Sequence, residues 1–454
     1  MSKNFNLAWL ACASALLSAC GGGGMSADRD DPPPARATVL TALLAGSAPI
    51  AQIDAGTKET GLQALSGAAK CDVDIRYVVY MTRDPSGAAA TATEGVLVPK
   101  GSDPACTGDR PVLLYAHGTS TTKSLNMADV VKNKEASLLM AMFAAQGFIV
   151  VMPNYLGYDK SSLSYHPYLN AESQAMDMVD GLRAAKTHLA AASAVKPSSK
   201  LFISGYSQGG HVAMATHKII ERDYASEFTV TASGPMSGPY NLVKMNDVII
   251  GPGPVNGGAT LFTPLLLTSY QKSYGNVYGS VTEAYQSPYA ATAESLFPTD
   301  TPIADLMAAG KLPADPTFTK LFGAGGLITD TFRASYFPNS GFRVDSQKNT
   351  LLGWTPKRPL ALCAGKNDPT VFFFNTTDMQ ADLASRGVLV PAFDLETRAS
   401  MPAGAAFDLV YGGFQQAKAA AGAGALAQYH GGLVPPFCTA LMRGYFQQVL
   451  ASGQ

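Results

Sequence analysis

The sequence predicts an α/β fold in which helices wind a mostly parallel β-sheet, and three observations support this. Short apolar runs typical of buried strands alternate with stretches of helical spacing over about residues 112–232. Such alternation is typical of parallel strands joined by right-handed crossovers. The alternation stops and returns only near residue 359, which indicates an inserted cap at about 239–357. With 47% hydrophobic and 15% charged residues among 454, the composition excludes a disordered chain.

The individual elements follow from local patterns. Residues 73–82 and 94–100 are β-rich and flank a segment containing a Pro-Ser-Gly turn, which predicts an antiparallel pair ahead of the parallel part. The later strands are predicted at 112–116, 148–152, 201–204, 228–232, 359–364 and 388–393. The helices are predicted at 135–146, at 172–189, after residue 207 to about 222, and at 377–385. The predicted cap contains Gly-Pro and Tyr-rich stretches and only short helical pieces.

The charge balance and the motifs exclude several classes of partner. The 33 Lys and Arg residues nearly cancel the 34 Asp and Glu residues, giving a net charge of −1. No long-range field therefore recruits nucleic acid, and a neutral or apolar partner is expected. The sequence contains no zinc-type cysteine spacing, no Walker loop and no dinucleotide fingerprint. Neither a metal nor a cofactor is therefore predicted.

The first twenty residues have the layout of a secretory signal. One lysine precedes an apolar run at 7–17, which is too short to span a bilayer, and small residues follow. The ending Leu-Ser-Ala-Cys resembles the lipobox of bacterial lipoproteins, so Cys20 is the predicted lipid anchor; the alternative is an ordinary cleaved signal. By the same resemblance, Gly21 after the anchor implies that the protein is attached to the outer membrane. The leaflet that carries the anchor stays open. Residues 21–37 combine Gly, charge and Pro and are predicted to be a tether before a domain at 38–454.

Four cysteines remain after the anchor, and an even number in an exported chain favours two disulfides. Four cysteines allow three pairings, and free buried thiols are the alternative. Cys71 and Cys106 bracket the predicted antiparallel pair. The favoured pairs are therefore Cys71 with Cys106 and Cys363 with Cys438.

The sharpest chemical signal is the segment LFISGYSQGG at residues 201–210. An apolar strand runs there into Gly-x-Ser-x-Gly and then into a helix, a context that presents the serine hydroxyl on a strained turn above the sheet edge. A serine is a weak nucleophile until a base, itself oriented by a carboxylate, activates it. Ser207 is the predicted nucleophile, and the alternative is an ordinary turn of small residues.

The base must be one of six histidines. His430, in YHGG, follows the last predicted strand on a Gly-flanked loop near the C-terminus and is the predicted base. His166, in a Tyr-His-Pro-Tyr loop, is the competing candidate. The other histidines are expected to be structural or solvated, with His117 bracing its own loop: His117, His188, His211 and His217.

The orienting carboxylate is expected at the end of the strand at 359–364. Asp368 lies there in the turn GKNDPTV, and the alternative is a turn aspartate that caps backbone N–H groups. Asp378 and Asp382 fall on the following helix and are poorly placed for this role. A tetrahedral oxyanion also needs two preorganised donors. The backbone N–H of Gln208 is one candidate, and the second is expected from Gly118 or Thr119.

These motifs together resemble the α/β-hydrolase esterases and lipases, and within them the secretory lipase group. The resemblance depends on YAHGT, PNYLGY with HPYL, GYSQGG, GKNDPTV and YHGG, in consistent order over roughly residues 70–445. The order of nucleophile, acid and base is also that of the hydrolase elbow. Two departures stand out: there is no HGGG loop, and the long interval before His430 predicts a second excursion at 399–427.

The resemblance implies a serine carboxylic-ester hydrolase that acts through an acyl-enzyme on lipid, short-acyl or polymer esters. The apolar residues of the cap suit an apolar ester substrate, although packing of the cap onto the body would require the same residues. An exported serine peptidase or amidase of the same fold is one alternative, because a fold and a triad do not separate esters from amides. A noncatalytic surface lipoprotein is the other. The oligomeric state and the acyl length stay open at this point.

Overall fold

The computed structural model describes residues 34–453, and its centre is a nine-stranded β-sheet. The strand order is β1-β2-β3-β5-β4-β6-β7-β8-β9. The neighbouring strands from β1 through β2 and β3 to β5 pair antiparallel. From β5 onward, through β4, β6, β7 and β8 to β9, all neighbouring strands pair parallel. The strands are β1 (Val39–Ala48), β2 (Asp72–Arg83), β3 (Ala89–Lys100), β4 (Asp109–Ala116), β5 (Ile149–Pro153), β6 (Lys196–Tyr206), β7 (Val230–Met236), β8 (Leu362–Ala364) and β9 (Ala392–Asp394).

Helices cover both faces of this sheet and build the cap. They are α1 (Ile50–Glu59), α2 (Gln63–Ser66), α3 (Lys134–Met142), α4 (Ala171–Ala192), α5 (Gln208–Asp223), α6 (Leu242–Ile250), α7 (Ala259–Tyr274), α8 (Val281–Ala284), α9 (Ile303–Ala308), α10 (Asp330–Ser335), α11 (Gly341–Lys348), α12 (Phe374–Ser385), α13 (Ala405–Ala421), α14 (Ala425–Gln428) and α15 (Val434–Ala451). The predicted α/β class, with a mostly parallel sheet wound by helices, is confirmed.

The two faces of the sheet have separate apolar cores. Along β4, Val112 and Leu114 pack with α4 and α5, whereas Leu113 packs on the opposite face with α3 and α15. This division follows from the two-residue period of a strand, which sends successive side chains to opposite faces. Because the central strands are covered on both faces, they appear in the sequence as continuous apolar runs.

Several predicted element boundaries are wrong. The edge strand β1 was not predicted, because it pairs with one strand only and mixes exposed and half-buried residues without alternation. The helix predicted at 135–146 ends at Met142 and continues as a 3-10 turn, Ala144–Gln146. The strand predicted at 388–393 is the short β9, Ala392–Asp394.

Six helices, α6 to α11, lie between β7 and β8, where the sequence predicts the cap. They share an apolar core of their own, to which Tyr168 and Leu169 also belong. The excursion predicted at 399–427 contains α13, and its Val410 and Phe414 pack into the core on the α15 side of the sheet. Residues of the cap helices α6 and α7 line a cavity together with Ser207, which directly follows the carboxyl end of β6.

Both favoured disulfides are present. Cys71, directly before β2, is bonded to Cys106 after β3, and Cys363 of β8 is bonded to Cys438 of α15. The second disulfide joins two cysteines that are 75 residues apart in the sequence. Such a crosslink restricts the unfolded chain and attaches the C-terminal helix to the sheet beside the predicted acid.

Predictions for the N-terminus fall mainly outside the described residues: the signal at 1–20, the anchor Cys20 and most of the tether at 21–37. At the end of that tether, the Arg36 guanidinium is paired with the buried Asp180 carboxylate at 2.9 Å. The Ala37 N–H donates to the Met81 carbonyl oxygen at 2.7 Å. Within residues 34–453, no helix combines the length and apolarity that crossing a membrane requires.

Candidate active site

Ser207 lies on a sharp turn between β6 and α5. Its φ of 59° and ψ of −122° are strained for a residue with a side chain, and only 9% of it is exposed. Two glycines make the turn possible. A Cβ atom on Gly205 would lie 2.2 Å from the Gly209 carbonyl oxygen, and one on Gly209 would lie 1.9 Å from the Ala116 carbonyl oxygen. The Gly-x-Ser-x-Gly spacing is therefore a packing requirement of this turn.

The structure brings Ser207, His430 and Asp368 together in one hydrogen-bonded chain. Ser207 Oγ lies 2.7 Å from His430 Nε2, and His430 Nδ1 lies 2.6 Å from Asp368 Oδ2. With the aspartate ionised, Nδ1–H donates to it and Nε2 accepts from the serine hydroxyl. This is the arrangement in which a histidine removes a proton from a serine.

Asp368 is held by the turn in which the sequence placed it. Its Oδ1 accepts the Thr370 N–H at 2.8 Å and the Val371 N–H at 3.0 Å, while Oδ2 faces His430. The capping role considered from the sequence and the orienting role therefore belong to different oxygens of the same carboxylate.

His430 does not lie on a loop, and that expectation is wrong. It lies in a π-helical turn, Tyr429–Leu433, which joins α14 to α15. Consecutive glycines are typical of loops, but here they follow His430 inside a widened helical turn. Widened turns of this kind are frequent at functional sites.

Two tyrosines that the sequence analysis did not single out fix the position of His430. The Tyr206 hydroxyl donates to the His430 carbonyl oxygen at 2.6 Å. The Tyr429 hydroxyl donates to Glu396 Oε1 at 2.8 Å and accepts the Asn367 N–H at 3.3 Å. Tyr429 thus joins the turn that carries the histidine to the turn that carries Asp368. Tyr206 lay inside the serine motif, but no sequence pattern pointed to either contact.

The two candidate positions for the second oxyanion donor differ in the structure. The Gly118 N–H donates to the Glu135 carboxylate, at 3.1 and 3.2 Å to its two oxygens, and is therefore engaged. Within the described chain, the Thr119 N–H has no acceptor. The Gln208 N–H is the first of α5, a position where helical N–H groups have no acceptor in the helix. Thr119 and Gln208 are therefore the candidate donors whose N–H groups remain free, whereas the Gly118 N–H is engaged by Glu135.

Among the described residues, the side chains of the other five histidines have hydrogen-bond partners other than Ser207. His117 lies between the Gly118 and Asn154 carbonyl oxygens, which agrees with bracing of its loop. His166, the competing base, is bonded to the Gln208 side chain instead. The remaining three have other partners: His188 with Arg76, His211 with the Asn349 carbonyl, and His217 with Ser233 and Glu221.

Glu135 is a buried carboxyl group beneath the loop that carries Gly118 and Thr119. Besides the Gly118 N–H, it accepts the Tyr115 hydroxyl at 2.8 Å. Burial raises the pKa of Glu135 to about 7, against the lowering effect of these hydrogen bonds. It was not predicted, because it lies on a predicted helix where a glutamate is usually solvated.

Replacing Glu135 with glutamine is expected to change how stability depends on pH. The unfolded chain releases this proton near pH 4.5, whereas the folded protein holds it up to about pH 7. The wild-type protein therefore loses stability as the pH rises through this window, by at most about 3 kcal/mol, and the glutamine variant lacks this loss. Urea unfolding of both proteins across the window measures it. A constant difference between them would contradict the prediction, and an exposed glutamate such as Glu59, changed to glutamine, is the control.

A large apolar cavity opens at Ser207. It has a volume of about 720 Å³, counting the part open to solvent. Ser207 and Gln208 lie at its polar end, and most of its wall comes from the cap. The apolar residues of α6 and α7 in this wall are Leu242, Met245, Ile249, Ile250, Ala259, Phe262, Leu266 and Leu267. Among residues 34–453, no cluster of His, Cys, Asp and Glu side chains is suited to hold a metal ion.

Comparison with known proteins gives a family match and a set of solved structures. Residues 123–244 match the model of the secretory lipase family. The chain is 30% identical to the rice cell wall degrading esterase LipA from Xanthomonas oryzae, with a TM-score of 0.76 for one of its crystal structures. That alignment covers 93% of this chain and 100% of the LipA chain.

More distant structures share the fold. A putative hydrolase from Legionella pneumophila aligns with a TM-score of 0.68 at 19% identity, covering 90% of this chain and 98% of that one. Candida antarctica lipase A in its closed state aligns at 0.55 and 13% identity, with 79% and 76% covered. A search of curated proteins found no match.

Proposed function

The chain belongs to the secretory lipase family of α/β-hydrolase esterases, and on that basis we propose that it is an exported serine hydrolase that cleaves carboxylic esters with an apolar acyl part. The observation that carries this proposal is the hydrogen-bonded chain from Ser207 through His430 to Asp368 at the mouth of an apolar cavity. A nucleophile, a base and an orienting carboxylate are the parts that acyl transfer through a serine requires.

The reaction proceeds through an acyl-enzyme. His430 Nε2 takes the proton of Ser207 as Oγ attacks the ester carbonyl carbon, and the π electrons of the carbonyl move onto its oxygen. The N–H groups of Gln208 and Thr119 hold that oxyanion. When the intermediate collapses, the bond to the alcohol oxygen breaks, and His430 returns the proton to this leaving group. Water then repeats the sequence on the acyl-enzyme and releases the acid.

The cavity supports an apolar acyl chain as the recognised part of the substrate. Its wall offers many aliphatic and aromatic contacts and few polar groups apart from the serine end. Each methylene that moves from water into such a cavity contributes about 0.8 kcal/mol, roughly fourfold in kcat/KM, until the space is full. Specificity should therefore rise with acyl length and then level off.

A panel of p-nitrophenyl esters with short, medium and long acyl chains, together with a matched anilide, tests the proposal on the purified protein. We expect hydrolysis of the esters, with kcat/KM rising along the series to a maximum, and much slower cleavage of the anilide. Cleavage of the anilide alone would favour the peptidase alternative. Failure to cleave any ester would overturn the proposed reaction.

We further propose that Cys20 carries a lipid and that the enzyme is anchored to the outer membrane. The support is the signal layout followed by Leu-Ser-Ala-Cys and a Gly-rich tether. Membrane fractionation tests it: the wild-type protein should sediment with outer membranes and a Cys20→Ser variant should not. Equal distribution of the two proteins would contradict the anchor.

A further inference from the structure

The segment at 155–169, which connects β5 to α4, folds tightly against the loop that carries Gly118 and Thr119. Tyr155, Gly157, Asp159 and Leu169 have φ angles of 65°, 92°, 46° and 53°, so the chain turns sharply at four positions. A Cβ atom on Gly157 would lie 2.4 Å from the Tyr165 carbonyl oxygen, so the two halves of the segment touch. The left-handed backbone of Tyr155, Asp159 and Leu169 costs free energy, which the surrounding contacts must offset.

One end of this segment holds the side chain of Gln208. His166 is 1% exposed, and its Nδ1–H donates to the Leu156 carbonyl oxygen at 2.8 Å. Its Nε2 is thereby an acceptor, and the Gln208 amide nitrogen donates to it at 2.6 Å. Burial lowers the pKa of His166 to about 3, so Nε2 keeps this acceptor role at neutral pH.

The same segment also holds the loop that carries Thr119. The Tyr168 hydroxyl lies 3.0 Å from Thr119 Oγ1, and the Tyr158 hydroxyl donates to the next carbonyl, that of Ser120, at 2.6 Å. Tyr168 is 5% exposed. The side chains of both residues that supply the candidate oxyanion donors are therefore bonded to a single segment.

We propose that His166 and Tyr168 are positioning residues that set the oxyanion hole, His166 through the Gln208 side chain and Tyr168 through the Thr119 hydroxyl. This inference rests on the proposed function. Donors stabilise a developing oxyanion only when they already point at it, and misplacement by about 1 Å costs on the order of 100-fold in rate. The hydrogen bonds of His166 and Tyr168 go to Leu156, Gln208 and Thr119 and not to Ser207 or His430, although Tyr168 also lines the cavity. Both residues therefore act on the reaction through the donors.

The experiment compares His166→Leu and Tyr168→Phe with the wild-type full-length protein. The readouts are kcat and KM on an ester, the melting temperature, and the inhibition constant of an alkyl trifluoromethyl ketone. Ser207 Oγ adds to the carbonyl carbon of this ketone, the serine proton goes to His430, and the resulting alkoxide occupies the oxyanion hole. Its affinity therefore reports on the donors directly.

We expect each variant to lower kcat by roughly 10- to 100-fold with KM nearly unchanged, and to weaken ketone binding by a similar factor. His166→Leu combined with Gln208→Leu should lose no more than the more damaging of the two single variants, because each single variant already breaks the bond between His166 and Gln208. The His166 variant also removes the contacts of its ring with Leu156 and Gln174. The proposal is supported if each single variant loses kcat and ketone affinity by similar factors, and if the losses of His166→Leu and Gln208→Leu do not add in the double variant.

Matched controls separate positioning from general stability. His217→Leu removes another fully buried histidine with two hydrogen bonds, and Tyr165→Phe removes a hydroxyl from the same segment. Both should lower the melting temperature at most and leave ketone affinity unchanged. If His166→Leu does not fold, His166→Gln retains an acceptor and, with Tyr168→Phe, keeps the test decisive.

The outcomes distinguish the two proposals. If the wild-type protein hydrolyses esters and binds the ketone while the His166 and Tyr168 variants match the controls, the positioning role is wrong and the proposed function stands. If the wild-type protein neither hydrolyses esters nor binds the ketone, both proposals fall.

Discussion

Replacing Ser207 with alanine should lower the rate of ester hydrolysis by at least about 10⁴-fold, because it removes the atom that attacks the ester. Alanine adopts the left-handed backbone at φ 59° with much the same strain as serine, so the turn should persist. The remaining oxyanion donors would still hold substrate, and the residual rate is therefore expected to exceed that of water alone.

The measurement pairs steady-state kinetics with covalent labelling by a fluorophosphonate, which phosphonylates an activated serine and expels fluoride. Ser237→Ala is a matched control, since Ser237 is also buried and has a left-handed backbone, with φ 44°. We expect label on the wild-type protein and on Ser237→Ala, and none on Ser207→Ala. A Ser207→Ala protein that keeps more than a few per cent of the activity would remove Ser207 from the mechanism.

The sequence predicted the parallel core because its signals are local. Each central strand is buried on both faces and therefore appears in the sequence as one apolar run. The sharp turn at Ser207 requires glycine at positions 205 and 209, because a side chain there would clash with the backbone. Asp368 was placed by a turn motif at a strand end. These features depend on neighbours in the sequence, so no knowledge of the tertiary structure was needed to find them.

The contacts that tune the site depend on residues far apart in the chain. Glu135 reaches Gly118 only after α3 packs under the loop, and Tyr429 reaches Glu396 through folding of the last hundred residues. The widened turn at His430 was missed for a different reason, since paired glycines indicate a loop unless the helices on both sides are known. Burial of a polar side chain is a property of the assembled fold, and a single sequence does not display it.

Replacing Asp368 with asparagine should lower kcat by about 10⁴-fold while leaving the fold intact. The reason lies in the fixed orientation of the carboxylate. Because its Oδ1 accepts the N–H groups of Thr370 and Val371, the asparagine carbonyl oxygen must take that place. The asparagine NH₂ group then faces His430 Nδ1, where it donates a hydrogen bond. The imidazole is forced to carry its proton on Nε2 and no longer accepts the proton of Ser207.

Nitrogen NMR of labelled histidine, alongside kinetics, distinguishes this tautomer effect from a loss of structure. Asp382→Asn is the control, because Asp382 lies nearby in the sequence on α12 and accepts the Gly353 N–H at 2.9 Å without contacting His430. We expect Asp382→Asn to retain activity, and Asp368→Asn to shift the His430 proton to Nε2 and lose fluorophosphonate labelling. A loss of less than about tenfold in Asp368→Asn would show that His430 is oriented by its backbone contacts, among them the Tyr206 hydroxyl, and not by this carboxylate.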